Sequence, residues 1–95
     1  MKTIHFEWDE SKNRSNVRKH GVSFAEAQTV FYDEYAILYN DPDHSEDEDR
    51  FIMLGMSYRL RVLVVCHCYR AGNSVIRIIS ARSADKDEES EYGRH

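Results

Sequence analysis

The chain has 95 residues, of which 41% are hydrophobic and 32% charged, with two cysteines and a formal net charge of −4. A chain of this length is predicted to form one domain, residues 1–95, because it buries only about 60 to 65% of the surface that its unfolded form exposes. The sequence contains no membrane-spanning apolar run, signal-peptide core or disulfide framework, so we expect a cytoplasmic protein.

The charges are unevenly distributed along the chain. Residues 31–49 carry a net charge of −8, whereas residues 50–84 contain six arginines and no acid. Local fields, rather than the net charge, steer a ligand to a cleft. The arginine block therefore predicts a site for an anionic ligand.

The first elements are a short strand at residues 3–8 and a polar helix at about residues 10–20. Asp9 is suited to cap the start of this helix and Gly21 to end it in a left-handed turn. Val17 is its only aliphatic residue. A helix this polar gains little from burying a face, so we expect it to face a polar ligand.

The next segment predicts a core helix followed by a strand. Ser23 and Glu26 have the spacing of a capping box, and the apolar residues after Ser23 recur at helical spacing. Residues 35–40 then have the composition of a strand. The acidic stretch that follows, "DPDHSEDED", predicts a turn and a solvated loop.

The remaining residues predict an antiparallel meander and an acidic end. Residues 50–57, 59–70 and 73–82 are β-rich runs joined by short turns, and residues 83–95 form a short acidic helix or a frayed tail. The fold class is therefore α+β. Two N-terminal helices are expected to pack on one face of a twisted, mainly antiparallel sheet, with a short C-terminal helix and the other sheet face free.

Alternation of side chains along the strands suggests an arginine-lined groove. Arg61 and His67 share a side of one strand, while Ser80 and Arg82 share a side of the next strand, opposite Arg77. Guanidinium groups bind phosphate bidentately and imidazole transfers protons near neutral pH. Arginines on strands are also common as edge solvation or as partners for acids, but this block holds no acid to pair with them.

Other candidates have competing interpretations. Lys19 and His20 either stabilise the helix end through its dipole or lean over the groove with Asn16 one turn back. Trp8 and Tyr58 either stack on bases or pack at the core rim.

Neither candidate metal motif satisfies the requirements of its site. The acidic loop lacks the glycine and the final glutamate of an EF-hand, with Glu46 and Ile52 in those positions. Alternation places His67 opposite Cys66 and Cys68, so no metal site or other cofactor is predicted.

Three stretches resemble the BrnT family, toxins of type II toxin–antitoxin pairs with a RelE-like fold: "FEWDESKNRSNVRKHGVSFAEAQTVFYD", "DPDHSEDEDRFIMLGMS" and "IRIISARSADKDEESEY". The resemblance implies a metal-independent ribonuclease that cuts messenger RNA and halts translation. It also implies a ribbon-helix-helix antitoxin resembling BrnA, possible 2:2 assembly, and repression of the operon, with operator DNA bound only through the complex. Many relatives have a basic C-terminal helix, whereas this one is acidic.

Site residues follow partly from these motifs. Lys19 and His20 come from "KHG", Arg77 from "IRIIS", and Ser80 and Arg82 from "SAR", whereas Arg61 and His67 depend on strand alternation.

The resulting hypothesis is transesterification of RNA. His67 or His20 deprotonates the 2′-hydroxyl, and the phosphate is held by Arg61, Arg77 and Arg82. The residues expected to bind substrate are Lys19, Asn16 and Ser80. The alternative is a non-catalytic module whose basic face docks an acidic segment of a partner protein.

Overall fold

The computed structural model describes residues 3–41 and 49–94. In chain order the elements are β1 (His5–Glu7), α1 (Glu10–His20), α2 (Phe24–Ala27), a 3₁₀ segment (Gln28–Tyr32), β2 (Ile37–Asn40), β3 (Phe51–Met56), β4 (Val62–Arg70), β5 (Val75–Ser83) and α3 (Lys86–Gly93). This arrangement confirms the predicted α+β class. None of the helices in these residues is long and apolar enough to cross a bilayer.

The five strands form one mixed sheet in the order β1-β5-β4-β3-β2. Strands β2 to β5 pair antiparallel as the predicted meander, whereas β1 pairs parallel with the start of β5, opposite Val75–Arg77. Because β1 has three residues, it covers only the first part of β5. The rest of the β5 edge, beyond Arg77, is therefore not paired with β1.

The polar helix α1 begins and ends as its sequence predicts. The Asp9 carboxylate accepts from the amides of Ser11 and Lys12 at 2.8 and 3.2 Å. Gly21 adopts a left-handed conformation with φ of 70° and donates to the carbonyl of Val17 at 2.8 Å. Both ends are therefore fixed by local signals.

The second helix is shorter than predicted, and its capping box is only half formed. The Ser23 hydroxyl accepts from the Glu26 amide at 3.0 Å, but the Glu26 side chain turns inward instead of reaching back. After one α-helical turn the chain tightens into the 3₁₀ segment. The expected apolar stripe is nevertheless buried there, with Phe24 and Val30 fully inaccessible.

The core lies between α2 and one face of the sheet, where aliphatic side chains from the two layers meet. Phe6 and Trp8 pack against its rim, and the Trp8 and Phe24 rings meet edge to face with centroids 6.1 Å apart. Trp8 is thus a packing residue. The buried members of the core are Val22, Phe24, Ala27, Val30, Leu63, Val65, Ile78 and Ala81.

A bulge in β5 changes which side chains share a face. Cys66 pairs with Ser80 but His67 pairs with Ile78, so Ile79 is an extra residue. Arg77 pairs with Cys68, which has the same parity on β4 as Cys66. The prediction that Arg77 lies opposite Ser80 and Arg82 is therefore wrong, because the bulge shifts the alternation and places all three on the face away from the core.

Helix α3 partly covers that second face, so the expectation of a free face is wrong. Asp85 and Glu88 form a reciprocal capping box at its start. Near its end the Tyr92 hydroxyl donates to Asp33 at 2.6 Å, and the Tyr39 hydroxyl donates to Glu91 at 3.4 Å. Burial, followed by the bond to Asp33, raises the pKa of Tyr92 to about 12. The acidic end is thus a docked helix.

Candidate active site

A pocket of about 380 Å³ opens on the sheet face away from the core. Its floor follows the register of the strands, because Ile52 pairs with Cys66, Cys66 with Ser80 and Val64 with Arg82. We call it the cationic pocket. Its lining residues are His20, Asp41, Arg50, Ile52, Val64, Cys66, Ile79, Ser80, Ala81 and Arg82.

Asn16 fastens α1 to the part of β5 that β1 does not cover. Its amide nitrogen donates to the carbonyls of Val22 and Ala81, both at 2.8 Å, and its oxygen accepts from the Ala81 amide at 3.2 Å. The side chain is 7% exposed. It bonds both the carbonyl and the amide of Ala81, as the backbone of a neighbouring strand would. The Asn16 amide is therefore engaged within the fold, and its bonds hold the end of α1 that carries His20 beside the pocket.

Arg61 holds the turn that follows His20. Its guanidinium donates to both carboxylate oxygens of Glu26, with the Nε to Oε2 distance 3.0 Å, and to the carbonyl of Gly21 at 3.2 Å. Glu26 is 2% exposed and also accepts from the Ser57 hydroxyl at 2.7 Å. Burial acts to raise the pKa of Glu26, but these donors outweigh it and lower the pKa. Arg61 therefore has a structural partner and lies outside the pocket.

His67 lies on the core side of the sheet and has no exposed surface. Its Nδ1 is 3.1 Å from the Val65 carbonyl, which can only accept, so Nδ1 carries the proton. Its Nε2 lies 3.2 Å from the Tyr69 hydroxyl. Burial lowers the pKa of His67, which keeps the ring neutral. The expectation that His67 faces the groove with the arginines is wrong, because β4 turns this side toward the core.

Arg82 lines the pocket and is paired with the carboxylate of Glu88. Its NH1 and NH2 groups donate to the two oxygens of Glu88 at 2.7 and 2.9 Å. The bonds from Arg82 lower the pKa of Glu88. Asp85 fixes that carboxylate further, because its amide donates to Glu88 Oε1 at 2.9 Å. This bidentate geometry is the one that a phosphate would take.

Most arginines of the block are thus paired with acids, contrary to the prediction. Arg77 donates to Glu7 at 2.9 Å, and Arg70 lies 3.6 Å from the same carboxylate. Glu7, like Glu26 and Glu88, comes from outside the acid-free block. Arg77 shares a sheet face with Arg82 but does not line the cationic pocket.

Of the remaining predicted residues, Ser80 lines the pocket and Lys19 does not. Lys19 is exposed near the end of α1 and forms no ion pair with any residue in the described ranges. His20 and Arg82 join Ser80 in the pocket. Three of the eight predicted residues therefore converge there.

The structure adds Arg50, which the sequence did not single out, and Cys66, which the sequence considered only as a metal ligand. Burial, followed by the charge of Asp41, raises the pKa of the Cys66 thiol, which favours its protonated form. Arg50 belongs to the arginine block and directly precedes β3. Its place in that block is the sequence feature that could have identified it as a pocket residue.

Within residues 3–41 and 49–94, no group of three His, Cys, Asp or Glu side chains is placed to hold a metal ion. Most of the loop considered for calcium, residues 42–48, lies outside the described residues.

Fold and site together define a small α+β protein with a cationic pocket on the sheet face opposite its core. A family model for "Ribonuclease toxin, BrnT, of type II toxin-antitoxin system" matches residues 8–88. The chain belongs to this BrnT family. Membership implies an antitoxin partner and an RNA target.

A solved relative supports the assignment. The 1.1 Å crystal structure of the Brucella abortus ribonuclease toxin BrnT is similar with a TM-score of 0.66 and 26% sequence identity, covering 88% of this chain and 100% of that one. Comparison with curated protein sequences gives no match.

Proposed function

We propose that the chain is an endoribonuclease that cleaves RNA by attack of a 2′-hydroxyl on the adjacent phosphate. The observation that carries the proposal is the cationic pocket, where His20, Arg82, Arg50 and Ser80 come together. The family's description as a ribonuclease toxin supports the reaction class.

In this mechanism His20 takes the proton of the 2′-hydroxyl as the 2′-oxygen bonds to phosphorus. The bond from phosphorus to the 5′-oxygen breaks, and the departing oxygen takes a proton from imidazolium or water, which leaves a 2′,3′-cyclic phosphate and a 5′-hydroxyl. Arg82 and Arg50 neutralise charge on the non-bridging oxygens, and the Ser80 hydroxyl donates a hydrogen bond. The nucleophile belongs to the substrate itself, so positioning and charge supply the catalysis.

The other predicted residues have different places in this proposal. His67 is too buried to act as the base, so His20 takes that role. Lys19 at the end of α1 is free to contact a neighbouring phosphate. Arg77 would contact RNA beyond the pocket after competing with Glu7. Substrate entry at Arg82 likewise requires phosphate to displace Glu88.

The biological setting that we propose follows from family membership. The RNA is messenger RNA, cleavage halts translation in the cytoplasm, and a ribbon-helix-helix antitoxin of the BrnA type neutralises the toxin in a 2:2 complex. That complex represses its own operon, and operator DNA is bound through the antitoxin. The RelE-like fold relationship predicted from the sequence belongs to the same proposal.

A second candidate function has one observation in its favour. The Glu88 carboxylate already occupies the guanidinium of Arg82. An acidic segment of a partner protein could occupy the same place, which would make the pocket a docking socket without chemistry.

Incubation of the purified chain with a transcript in EDTA separates the two. We expect products ending in 2′,3′-cyclic phosphate, and His20→Asn should abolish them. Tight binding of the antitoxin without any cleavage, in the presence or absence of ribosomes, would leave only the docking function.

A further inference from the structure

A second pocket, of about 270 Å³, adjoins the cationic pocket under α3. Ile52, Val64 and Arg82 border both pockets. Its floor is apolar and belongs to β2, β3 and β4, and its rim is acidic and belongs to α3. We call it the apolar pocket. Its lining residues are Tyr39, Ile52, Leu54, Val64, Arg82, Asp87, Glu88 and Glu91.

The two pockets differ in the chemistry that they favour. The cationic pocket has His20, Arg50 and Arg82 beside one carboxylate, that of Asp41, whereas the rim of the apolar pocket carries three carboxylates from α3. Carboxylates repel a phosphate but accept hydrogen bonds from N–H donors. An apolar floor favours a flat ring over a charged group. The two adjoining pockets together therefore suit a nucleotide, because the cationic pocket favours its phosphate and the apolar pocket favours its base.

We propose that the apolar pocket binds a base that flanks the phosphate held at Arg82. This inference rests on the proposed function and names a part of its substrate. Tyr39 is 37% exposed, which leaves ring surface for stacking, and the aliphatic side chains of Ile52, Leu54 and Val64 complete the floor. Arg82 stands between the two pockets, so phosphate and base are adjacent along one strand.

The carboxylates of the rim select among the bases. Glu88 is bound to Arg82, and Glu91 lies 3.3 Å from Arg94 and 3.4 Å from the Tyr39 hydroxyl. The Asp87 side chain is exposed and makes no hydrogen bond or ion pair with any residue that the structure describes. Its two oxygens match the adjacent N–H donors of guanine. Uracil presents one N–H between two carbonyls that a carboxylate repels. Guanine is therefore the preferred base.

Chimeric oligonucleotides test this selection directly. A DNA strand with one ribonucleotide has a single 2′-hydroxyl, so cleavage can occur at one phosphate. One set varies the base on the ribonucleotide, and a second set varies the base that follows it. We expect guanine to be cleaved faster than uracil in one of the sets by about 5- to 100-fold. Inosine, which lacks the 2-amino group, should fall between them.

Two variants test whether the guanine preference arises at the apolar pocket. Asp87→Asn should remove most of the guanine preference, because an amide presents one acceptor and one donor. Glu89→Gln is the matched control, since Glu89 lies on the same helix, is exposed and lines neither pocket. Equal rates for all bases in both sets would overturn the proposal. An equal loss of preference in Asp87→Asn and Glu89→Gln would also overturn it.

Absence of any cleavage would count against the proposed function and not yet against the pocket. Titration with guanosine and uridine monophosphates, followed by amide NMR, then decides. Shifts at Ile52, Leu54 and Val64 with guanosine monophosphate, and weaker ones with uridine monophosphate, support the base pocket. Equal shifts, or none, refute it.

Discussion

The two faces of the sheet carry similar polar residues, but these residues are buried on one face and exposed on the other. On the core face, His67 and Glu26 are buried and each has partners from within the fold. On the opposite face, His20, Ser80 and Arg82 are exposed side chains around a pocket. Residue type alone therefore does not distinguish polar groups buried within the fold from polar groups that line an open pocket, and burial makes the distinction.

Arg61 and Arg82 make the contrast sharpest. Both donate two bonds to a glutamate, but Glu26 is 2% exposed while the Glu88 side chain is 29% exposed. Removing a partner from a buried charge leaves it without water, whereas an exposed charge is resolvated. We therefore expect loss of Arg61 to impair folding and loss of Arg82 to impair function.

The largest expected effect is that of Arg82→Ala on RNA cleavage. The rate of cyclic phosphate formation should fall by about 10² to 10³, because the variant lacks the guanidinium that stabilises the developing charge. The free energy of unfolding should change by less than about 1 kcal/mol.

Arg77→Ala is the matched control for that variant. Arg77 lies on the same strand and the same face, bound to an acid, but outside the cationic pocket. It should keep cleavage within about a factor of five, since loss of one peripheral charge costs at most about 1 kcal/mol. A loss equal to that of Arg82→Ala would restore the catalytic role that the sequence suggested for Arg77.

The second effect concerns stability. Arg61→Ala should lower the free energy of unfolding by about 3 kcal/mol, because Glu26 would remain buried without its partner. Arg59→Ala provides the control, since Arg59 is 59% exposed and 4.0 Å from the same carboxylate. That variant should cost about 0.5 kcal/mol or less. Urea unfolding at pH 7.5 measures both, and equal losses would contradict the structural role of Arg61.

The third effect is a loss of stability in mild acid caused by His67. Burial lowers its pKa in the folded state, while the unfolded chain titrates near the ordinary value of about 6.5. Above that pH both states are neutral and stability is complete. Below it the unfolded state binds a proton first, so stability falls by up to about 2 kcal/mol by pH 5.

Urea unfolding between pH 7.5 and 5 follows this loss. His67→Phe should be less stable throughout but should lack the slope, whereas the exposed His20→Asn should keep it. A slope that survives in His67→Phe would assign the acid sensitivity to another group.

The sequence predicted those parts of the fold that depend on neighbouring residues. The starts of α1 and α2 and the end of α1 were predictable, because the residues that cap them act within one helical turn. These residues are Asp9, Ser23 and Gly21. Strand positions followed from period-two alternation. The bulge at Ile79 was not predictable, because it is a mismatch between two strands and neither sequence alone contains it.

The site was harder to predict for a related reason. Glu26 is 35 residues from Arg61, and Glu7 is 70 residues from Arg77, so an acid-free stretch said nothing about pairing. Alternation placed His67 on the same side of its strand as Arg61 but could not tell that this side faces the core. The residues that converge, His20, Ser80 and Arg82, came from the family motifs.

The smallest effect tests whether Arg82 belongs to the ligand face despite its partner. Glu88→Gln keeps the capping box, since glutamine serves in that position, but removes the charge that holds the guanidinium. Affinity for a 2′-O-methyl RNA, which binds without being cleaved, should rise by about two- to five-fold. Fluorescence anisotropy measures it, and the gain should shrink as salt screens the pair.

Glu89→Gln distinguishes release of Arg82 from a general loss of negative charge. Both variants remove one unit of charge from α3, but only Glu88 contacts the arginine. If the gain comes from release, Glu88→Gln must exceed Glu89→Gln, and the excess must vanish when each is combined with Arg82→Ala. Equal gains would mean that Glu88 exerts only a long-range field, and Arg82 would then be open to phosphate in the protein as it stands.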